Sequence, residues 1–227
     1  MSRPSGKGDS NDPYRSLRKA RMAPPFELDL PQPQQSRSVQ TQQSLVDAGR
    51  AILQEMPWEA VSIALIAKRA GRSVGVFYQR FGSKEDFLTL LLKHWLDDGY
   101  AQLERQMPGD TPLEMIDTYL MDVFNRIRTN RYLWRAALQR AMDDPASWEP
   151  FRHFAAARRE QFASQLGERR GRPVDEAERG RLDLATQVFN SVINNALLND
   201  PGPLRVDQPA FFPTLKDIFL QIAALDL

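Results

Sequence analysis

Two short segments constrain the fold of this chain more than any other feature. Each begins at a serine and ends at a glycine: Ser62 to Gly71, and Ser73 to Gly82. In both, apolar residues recur at the offsets 0, 3, 4 and 7 of one helix face: Ile63, Ile66, Ala67 and Ala70, then Val74, Phe77, Tyr78 and Phe81. Serine favours a helix N-cap, and glycine favours the position after a helix end. We therefore predict two short helices joined by a tight turn.

The flanking residues predict longer helices against which these two can pack. Apolar residues at helical spacing occupy Leu45–Met56, and after the second segment Ser83 caps a helix with Asp86 at the capping-box position and an apolar face over Phe87–Leu103. Isolated helices shorter than about 12 residues are marginal in water. A compact helix that enters the major groove of DNA, about 12 Å wide, explains why such short elements occur here. We predict a helix-turn-helix over Ser62–Leu92.

The rest of the chain also predicts helices. Thr111, Pro112 and Glu114 form a capping box with proline at the first helical position. We expect the last helix to be broken near its start by Pro213, and Arg169–Pro173 to form a charged loop. The expected helical ranges are 111–127, 131–142, 144–166, 175–198 and 209–225. Since no strand-length alternation is present, we predict an all-α protein of about nine helices.

Composition and charge divide the chain into three parts: 1–37, 38–93 and 94–227. Their net charges are +3, +2 and −4, so a polyanionic partner would meet the first two parts. Prolines and glutamines in 1–37 predict a disordered arm. Its basic cluster is Arg15, Arg18, Lys19 and Arg21. The cluster could follow phosphates or enter a minor groove, or the arm could be a solvated tail without a fixed role.

Several classes of site are disfavoured by the residue types present. The chain has no cysteine, and its two histidines, His94 and His153, are far apart and lack metal-site spacing, so we expect no metal and no cofactor. Adjacent acidic pairs such as Asp97-Asp98 point about 100° apart on a helix and do not share a catalytic site. No apolar run approaches the 18 or so residues that span a bilayer. We expect a cytoplasmic, non-enzymatic protein with no membrane partner.

Residues 66–88, IAKRAGRSVGVFYQRFGSKEDFL, resemble the DNA-binding pattern of TetR-family transcriptional regulators. The shared features are the alanine-glycine turn, the aromatic-tyrosine pair, the phenylalanine before the next turn, and the serine-lysine that opens the following helix. The N-terminal position of this pattern and the helical remainder also resemble the family. The resemblance implies a three-helix helix-turn-helix DNA-binding domain at 38–93 and a helical ligand-binding and dimerisation bundle at 94–227.

The resemblance also implies which residues contact DNA. They are Ser62, Ser73, Val74, Gly75, Val76, Tyr78, Gln79, Arg80 and Lys84. Ser62, Tyr78 and Lys84 match residues that contact the phosphate backbone, and Arg80 replaces a common histidine. The chain departs from the family at Pro57-Trp58, where many members have a glycine and an aromatic residue. A second departure is the Val74–Val76 segment, which lacks hydrogen-bonding side chains, so base recognition would rest on its neighbours and on thymine methyl contacts.

For the C-terminal bundle, the resemblance implies a small-molecule site and a homodimer through the last two helices. Aromatic and amide side chains suggest an apolar or aromatic ligand, although an ordinary filled core is the alternative. The candidate lining residues are Tyr119, Phe124, Trp134, Trp148, Phe151, Phe154, Asn190 and Asn194. The expected function is a repressor that binds a palindromic double-stranded DNA operator as a dimer and is released by this molecule. The alternatives are an enzyme and a helical binding protein that has lost DNA binding.

Overall fold

The computed structural model describes residues 36–226. Nine α-helices and two short 3-10 turns, Trp58–Ala60 and Pro145–Trp148, form this part of the chain, which contains no strand. The helices are α1 (Ser36–Glu55), α2 (Ile63–Arg69), α3 (Val74–Phe81), α4 (Lys84–Gln102), α5 (Pro112–Thr129), α6 (Arg131–Asp143), α7 (Glu149–Arg170), α8 (Glu176–Asn199) and α9 (Phe211–Ala223). The all-α prediction is confirmed. None of these helices is both long and apolar enough to cross a membrane.

The predicted N-terminal arm lies outside the described residues except for its last two positions. Ser36 and Arg37 begin α1, so the helix starts two residues earlier than the boundary drawn from the prolines. The basic cluster from Arg15 to Arg21 falls in the part that is not described. Its proposed contact with DNA stays a prediction.

Two apolar cores hold the helices together. The first packs α1 to α4 around Phe77, Phe81 and Phe87, and it continues into α6 and the start of α7. The second packs α5, α7, α8 and α9 around Phe162, Phe189 and other buried residues. α4 runs without interruption across the predicted boundary at residue 93 and contributes Trp95 and Leu96 to the first core. This helix therefore connects the N-terminal helices to the rest of the protein.

Two local expectations need correction. Pro213 does not break the last helix, because it lies in the first turn of α9, where its missing N–H would have no helical partner.

The expected charged loop at 169–173 is also shorter than predicted: α7 continues to Arg170 and turns at Gly171, whose φ of +67° favours glycine. Around this turn, Arg170 and Arg172 form ion pairs with Glu178 at the start of α8.

Candidate nucleic-acid interface and effector cavity

Serine side chains fix the starts of three consecutive helices. Ser62 Oγ accepts a hydrogen bond from the Leu65 amide at 3.1 Å, and Ser73 Oγ accepts one from the Val76 amide at 3.3 Å. Ser83 caps α4 and also donates its hydroxyl to the Asp86 carboxylate at 2.6 Å. In a capping box, the Asp86 carboxylate would accept a hydrogen bond from the backbone N–H of Ser83. Here it accepts one from the Ser83 hydroxyl instead, so the expected capping box is absent. These caps set the direction of α2, α3 and α4.

The buried face of α3 holds it against the first core. The rings of Phe77 and Phe81 lie 5.1 Å apart, and each packs on Phe87 of α4, at 5.1 Å and 4.7 Å. Gly49 of α1 makes room for this cluster, because a Cβ there would lie 2.7 Å from the Phe87 ring. The short helix is thus anchored by aromatic packing and by its capped end.

The opposite face of α3 is open. The exposed residues are Ser73, Val74, Gly75, Tyr78 and Gln79, and 51% of the surface of Tyr78 is accessible to solvent. Two further residues expected on this face, Val76 and Arg80, are partly buried, and Val76 packs on the core. The exposed surface is therefore a strip of small side chains flanked by tyrosine and glutamine. Such a strip allows close approach of another macromolecule.

Lys84 lies beside this strip at the first position of α4. Its Nζ donates to the carbonyl oxygen of Trp58 at 3.0 Å and lies 4.5 Å from the centre of the Trp58 ring. The unusual Pro57-Trp58 pair thus supports the lysine through the 3-10 turn that follows Pro57. A helix N-terminus with an adjacent ammonium group favours an anion.

The model of the family described as "Bacterial regulatory proteins, tetR family" matches residues 45–91. This range contains the three capped helix starts and the aromatic anchor just described. Residues 45–91 thus have the sequence pattern of the tetR-family DNA-binding segment. The predicted resemblance is confirmed.

Two HTH-type transcriptional regulators are similar to part of this chain. The chain is 33% identical over 98 residues to the HTH-type transcriptional regulator HbdR of Aromatoleum sp. (strain CIB), covering 39% of this chain and 43% of that protein. It is 32% identical over 100 residues to the HTH-type transcriptional regulator YwcC of Bacillus subtilis (strain 168), covering 41% and 45%. The chain therefore matches less than half the length of either relative.

A solved structure extends the comparison to the remaining helices. Salmonella enterica GusR superposes with a TM-score of 0.58 at 14% sequence identity, covering 86% of this chain and 100% of that one. At this identity the likeness concerns the fold alone. It shows that the chain shares its overall helical architecture with GusR.

A cavity of about 620 Å³ lies among α4, α5, α6, α7 and α8. Seven of the eight candidate residues for a ligand site lie in the lining of this cavity, and their role in binding a ligand stays a prediction. They are Tyr119, Trp134, Trp148, Phe151, Phe154, Asn190 and Asn194. Phe124 does not line the cavity, because its ring packs on Phe211 and Phe212 at 5.8 Å and 5.4 Å in the second core.

Aromatic rings form one wall of this cavity. The Trp134 ring lies 5.0 Å from Trp95 and 5.3 Å from Trp148, and Trp148 stacks on Phe151 at 4.6 Å. The Trp134 indole N–H donates to the Asn194 side-chain oxygen at 2.8 Å. This hydrogen bond fixes the ring next to the amide patch that the sequence placed on α8.

Tyr119 contributes a protonated phenol to the lining. Its hydroxyl hydrogen-bonds with Thr186, and burial raises its pKa above the usual range. The ring stacks on Phe162 at a centroid distance of 4.1 Å. Phe162 itself belongs to the second core.

Charged residues also line the cavity, and sequence reasoning missed them. They are Asp122, Arg126, Arg152, Arg158, Arg159 and Asp183. A signal was present: Asp122 and Arg126 follow Tyr119 at offsets 3 and 7, which places them on its helix face. Arg158 follows Phe151 and Phe154 at offsets 7 and 4, which again places it on the same helix face. The cavity is therefore lined by aromatic rings and by more basic than acidic groups.

Proposed function

We propose that this chain is a transcriptional regulator that binds double-stranded DNA through α3 and releases it in response to a small molecule. The observation that carries the proposal is the exposed strip of α3, held by caps and aromatic anchors, within a tetR-family domain. α3 would lie in the major groove, with Ser73, Gln79 and neighbouring methyl groups reaching base edges. Ser62, Tyr78 and Lys84 would contact the phosphate backbone, which fixes register rather than sequence preference.

We infer that the regulator acts as a homodimer through α8 and α9, as the family resemblance implies. Two recognition helices on a palindromic operator need to be about 34 Å apart, one turn of DNA. α8 carries Leu184, a large apolar side chain that is exposed on the single chain. A second copy that covers this face would remove it from water.

The cavity is the proposed effector site, and α4 is the physical link from it to DNA. Trp95 of α4 lines the cavity, while Lys84, at the start of the same helix, lies next to α3. In this mechanism α4 takes more than one position relative to the other helices. An effector that binds more tightly to one of these conformations shifts the population towards it and changes the spacing of the two recognition helices. We propose that this shift lowers operator affinity, which would make the protein a non-enzymatic repressor.

DNA selection from a random pool, followed by fluorescence anisotropy at about 150–200 mM salt, tests the DNA-binding half. We expect a palindromic consensus whose affinity exceeds that of scrambled DNA by at least about 1,000-fold. Tyr78→Phe should weaken binding about fivefold, because one hydrogen bond of about 1 kcal/mol is lost, without a change in melting temperature. If no consensus emerges, a helical binding protein without DNA affinity becomes the better description.

A further inference from the structure

Arg126 differs from the other arginines of the cavity. Arg158 forms an ion pair with Asp122, Arg159 with Asp183, and Arg152 with Glu149. Within residues 36–226, no carboxylate forms an ion pair with Arg126. The two carboxylates whose field favours its charge, Asp122 and Asp98, are engaged by Arg158 and Arg50.

The guanidinium of Arg126 is held by neutral groups instead. It donates to the Trp95 carbonyl oxygen and reaches the Gln102 side-chain oxygen at 3.5 Å. It lies 3.9 Å from the centre of the Trp95 ring and 5.4 Å from that of Phe154. Burial lowers the pKa of Arg126 to about 10, which still leaves the side chain cationic at neutral pH. The cavity therefore contains a partly buried positive charge to which the described part of the chain supplies no counter-ion.

Among residues 36–226, two buried hydrogen-bond donors of cavity-lining side chains also lack acceptors. They are the Nε of Arg126 and the indole Nε1 of Trp95, whose side chain belongs to a residue only 8% exposed. Buried donors without partners are rare and costly in folded proteins. Both residues line the cavity, and both lack the same thing, an oxygen that accepts a hydrogen bond.

We propose that the effector is an amphipathic anion, with an aromatic body against the Trp134, Trp148 and Phe151 rings and an oxyanion at Arg126 and Trp95. A carboxylate or sulfonate would supply the missing counter-charge and the acceptor oxygens, through charge-assisted hydrogen bonds. The proposal rests on the effector site proposed above. It replaces the largely apolar ligand expected from the sequence with one whose charge is essential for affinity.

A matched pair of fluorescent probes tests the charge requirement. 8-Anilinonaphthalene-1-sulfonate carries an aromatic body with a sulfonate, and N-phenyl-1-naphthylamine has the same rings without it. We expect the full-length protein to bind the sulfonate about tenfold or more tightly than the neutral probe, as loss of a hydrogen bond to a charged group predicts. Equal affinity for the two probes would overturn the proposal without any variant being made.

Variants then locate the contact. Arg126→Gln should weaken sulfonate binding about tenfold while changing the affinity for the neutral probe less than about threefold. The matched control is Arg128→Gln, since Arg128 lies on the same helix but is exposed and does not line the cavity, and it should leave both affinities nearly unchanged. The neutral-probe affinity also reports whether Arg126→Gln remains folded. An equal effect of Arg126→Gln on both probes, or an equal effect of the two variants, contradicts the assignment.

A cavity-filling variant separates this inference from the proposed function. Ala155 lines the cavity, and Ala155→Trp should abolish binding of both probes while the helical circular-dichroism spectrum stays unchanged. If Ala155→Trp blocks both probes but Arg126→Gln does not discriminate between them, the effector site stands and the anion contact fails. If Ala155→Trp blocks neither probe, the probes bind elsewhere and the effector site itself is rejected.

Discussion

The ammonium group of Lys84 is bound to the backbone carbonyl of Trp58 at 3.0 Å and covered by the indole ring at 4.5 Å. An ammonium group has three donors, so this contact leaves two for other partners. The ammonium group is thus held in place in the free protein. Because little side-chain freedom remains to be lost, a phosphate contact at this position costs less entropy than one from a free lysine.

We expect Lys84→Ala to weaken binding to every DNA sequence and to reduce the salt dependence of the affinity by about one unit of slope. Anisotropy titrations at several salt concentrations measure both quantities. Lys93→Ala is the control, because Lys93 lies on the same helix and is paired with Asp97 at 2.6 Å. An unchanged slope for Lys84→Ala, or the same loss in both variants, would argue against a phosphate contact at Lys84.

The Glu178 ion pairs should make stability depend on acidic pH. The Glu178 and Arg170 side chains are only 6% and 4% exposed, and hydrogen bonds from Arg172 and Arg170 hold the pKa of Glu178 well below its usual range. A depressed folded-state pKa contributes stability above the unfolded-state pKa of about 4.3, and this contribution is lost as the pH falls below that value. Removing one partner of a buried pair costs about 3 kcal/mol.

We therefore expect Glu178→Gln to lower the free energy of unfolding by about 3 kcal/mol at pH 7, measured by urea denaturation, and by progressively less as the pH falls from about 4 towards the depressed folded-state pKa. The control is Glu176→Gln in the same first turn of α8, where the side chain is exposed and a change within about 0.5 kcal/mol is expected. Similar losses at pH 7 and at acidic pH would show that Glu178 stabilises the fold through packing rather than charge.

Gly99 and Gly180 are both helical glycines, but only one has space for a methyl group. A Cβ at Gly99 would lie 2.6 Å from the Arg126 guanidinium and 2.7 Å from the Phe154 ring, whereas nothing lies within 4 Å at Gly180. Gly180→Ala should raise the free energy of unfolding by about 1 kcal/mol through helix propensity. Gly99→Ala should lower it by about 1 kcal/mol, because overpacking outweighs that gain. Equal changes in thermal unfolding would show that Arg126 and Phe154 move aside freely.

The proposed dimer interface predicts different effects for two exposed apolar residues. Leu184 on α8 is 53% exposed and Met142 on α6 is 75% exposed. Leu184→Asp would place a charge in the interface and should shift the protein towards the monomer in sedimentation velocity, with a parallel loss of operator affinity. Met142→Asp should leave both unchanged. A dimer that survives Leu184→Asp would place the interface on another face.

The helices were predictable from sequence because the interactions that start them are local. Ser62, Ser73, Thr111 and Asp175 each cap a helix through a backbone amide three residues ahead, so short sequence patterns contain the necessary information. Pro213 was misjudged because proline is tolerated in the first turn, and its effect depends on exactly where the helix begins. The boundary of α9 was therefore harder to predict than its existence.

The chemistry of the cavity was less predictable because it depends on contacts between distant residues. Arg126 and Trp95, which are hydrogen-bonded, are 31 residues apart in sequence, and the hydrogen-bonded pair of Trp134 and Asn194 is 60 residues apart. Aromatic residues alone could not reveal that Phe124 turns towards Phe211 while its neighbours face the cavity. The ion pairs of the cavity arginines join side chains from different helices. A local sequence pattern therefore cannot show that Arg126 is the one without a carboxylate partner.

Gly75 has a consequence for how this regulator could diversify. A Cβ placed there would meet only the Ser73 hydroxyl, at 3.9 Å, and the residue lies in the middle of the exposed strip of α3. Almost any side chain could therefore be installed without disturbing the fold, and alanine would even favour the helix. If α3 enters the major groove as proposed, a single substitution at this position would change the preferred operator at little cost in stability.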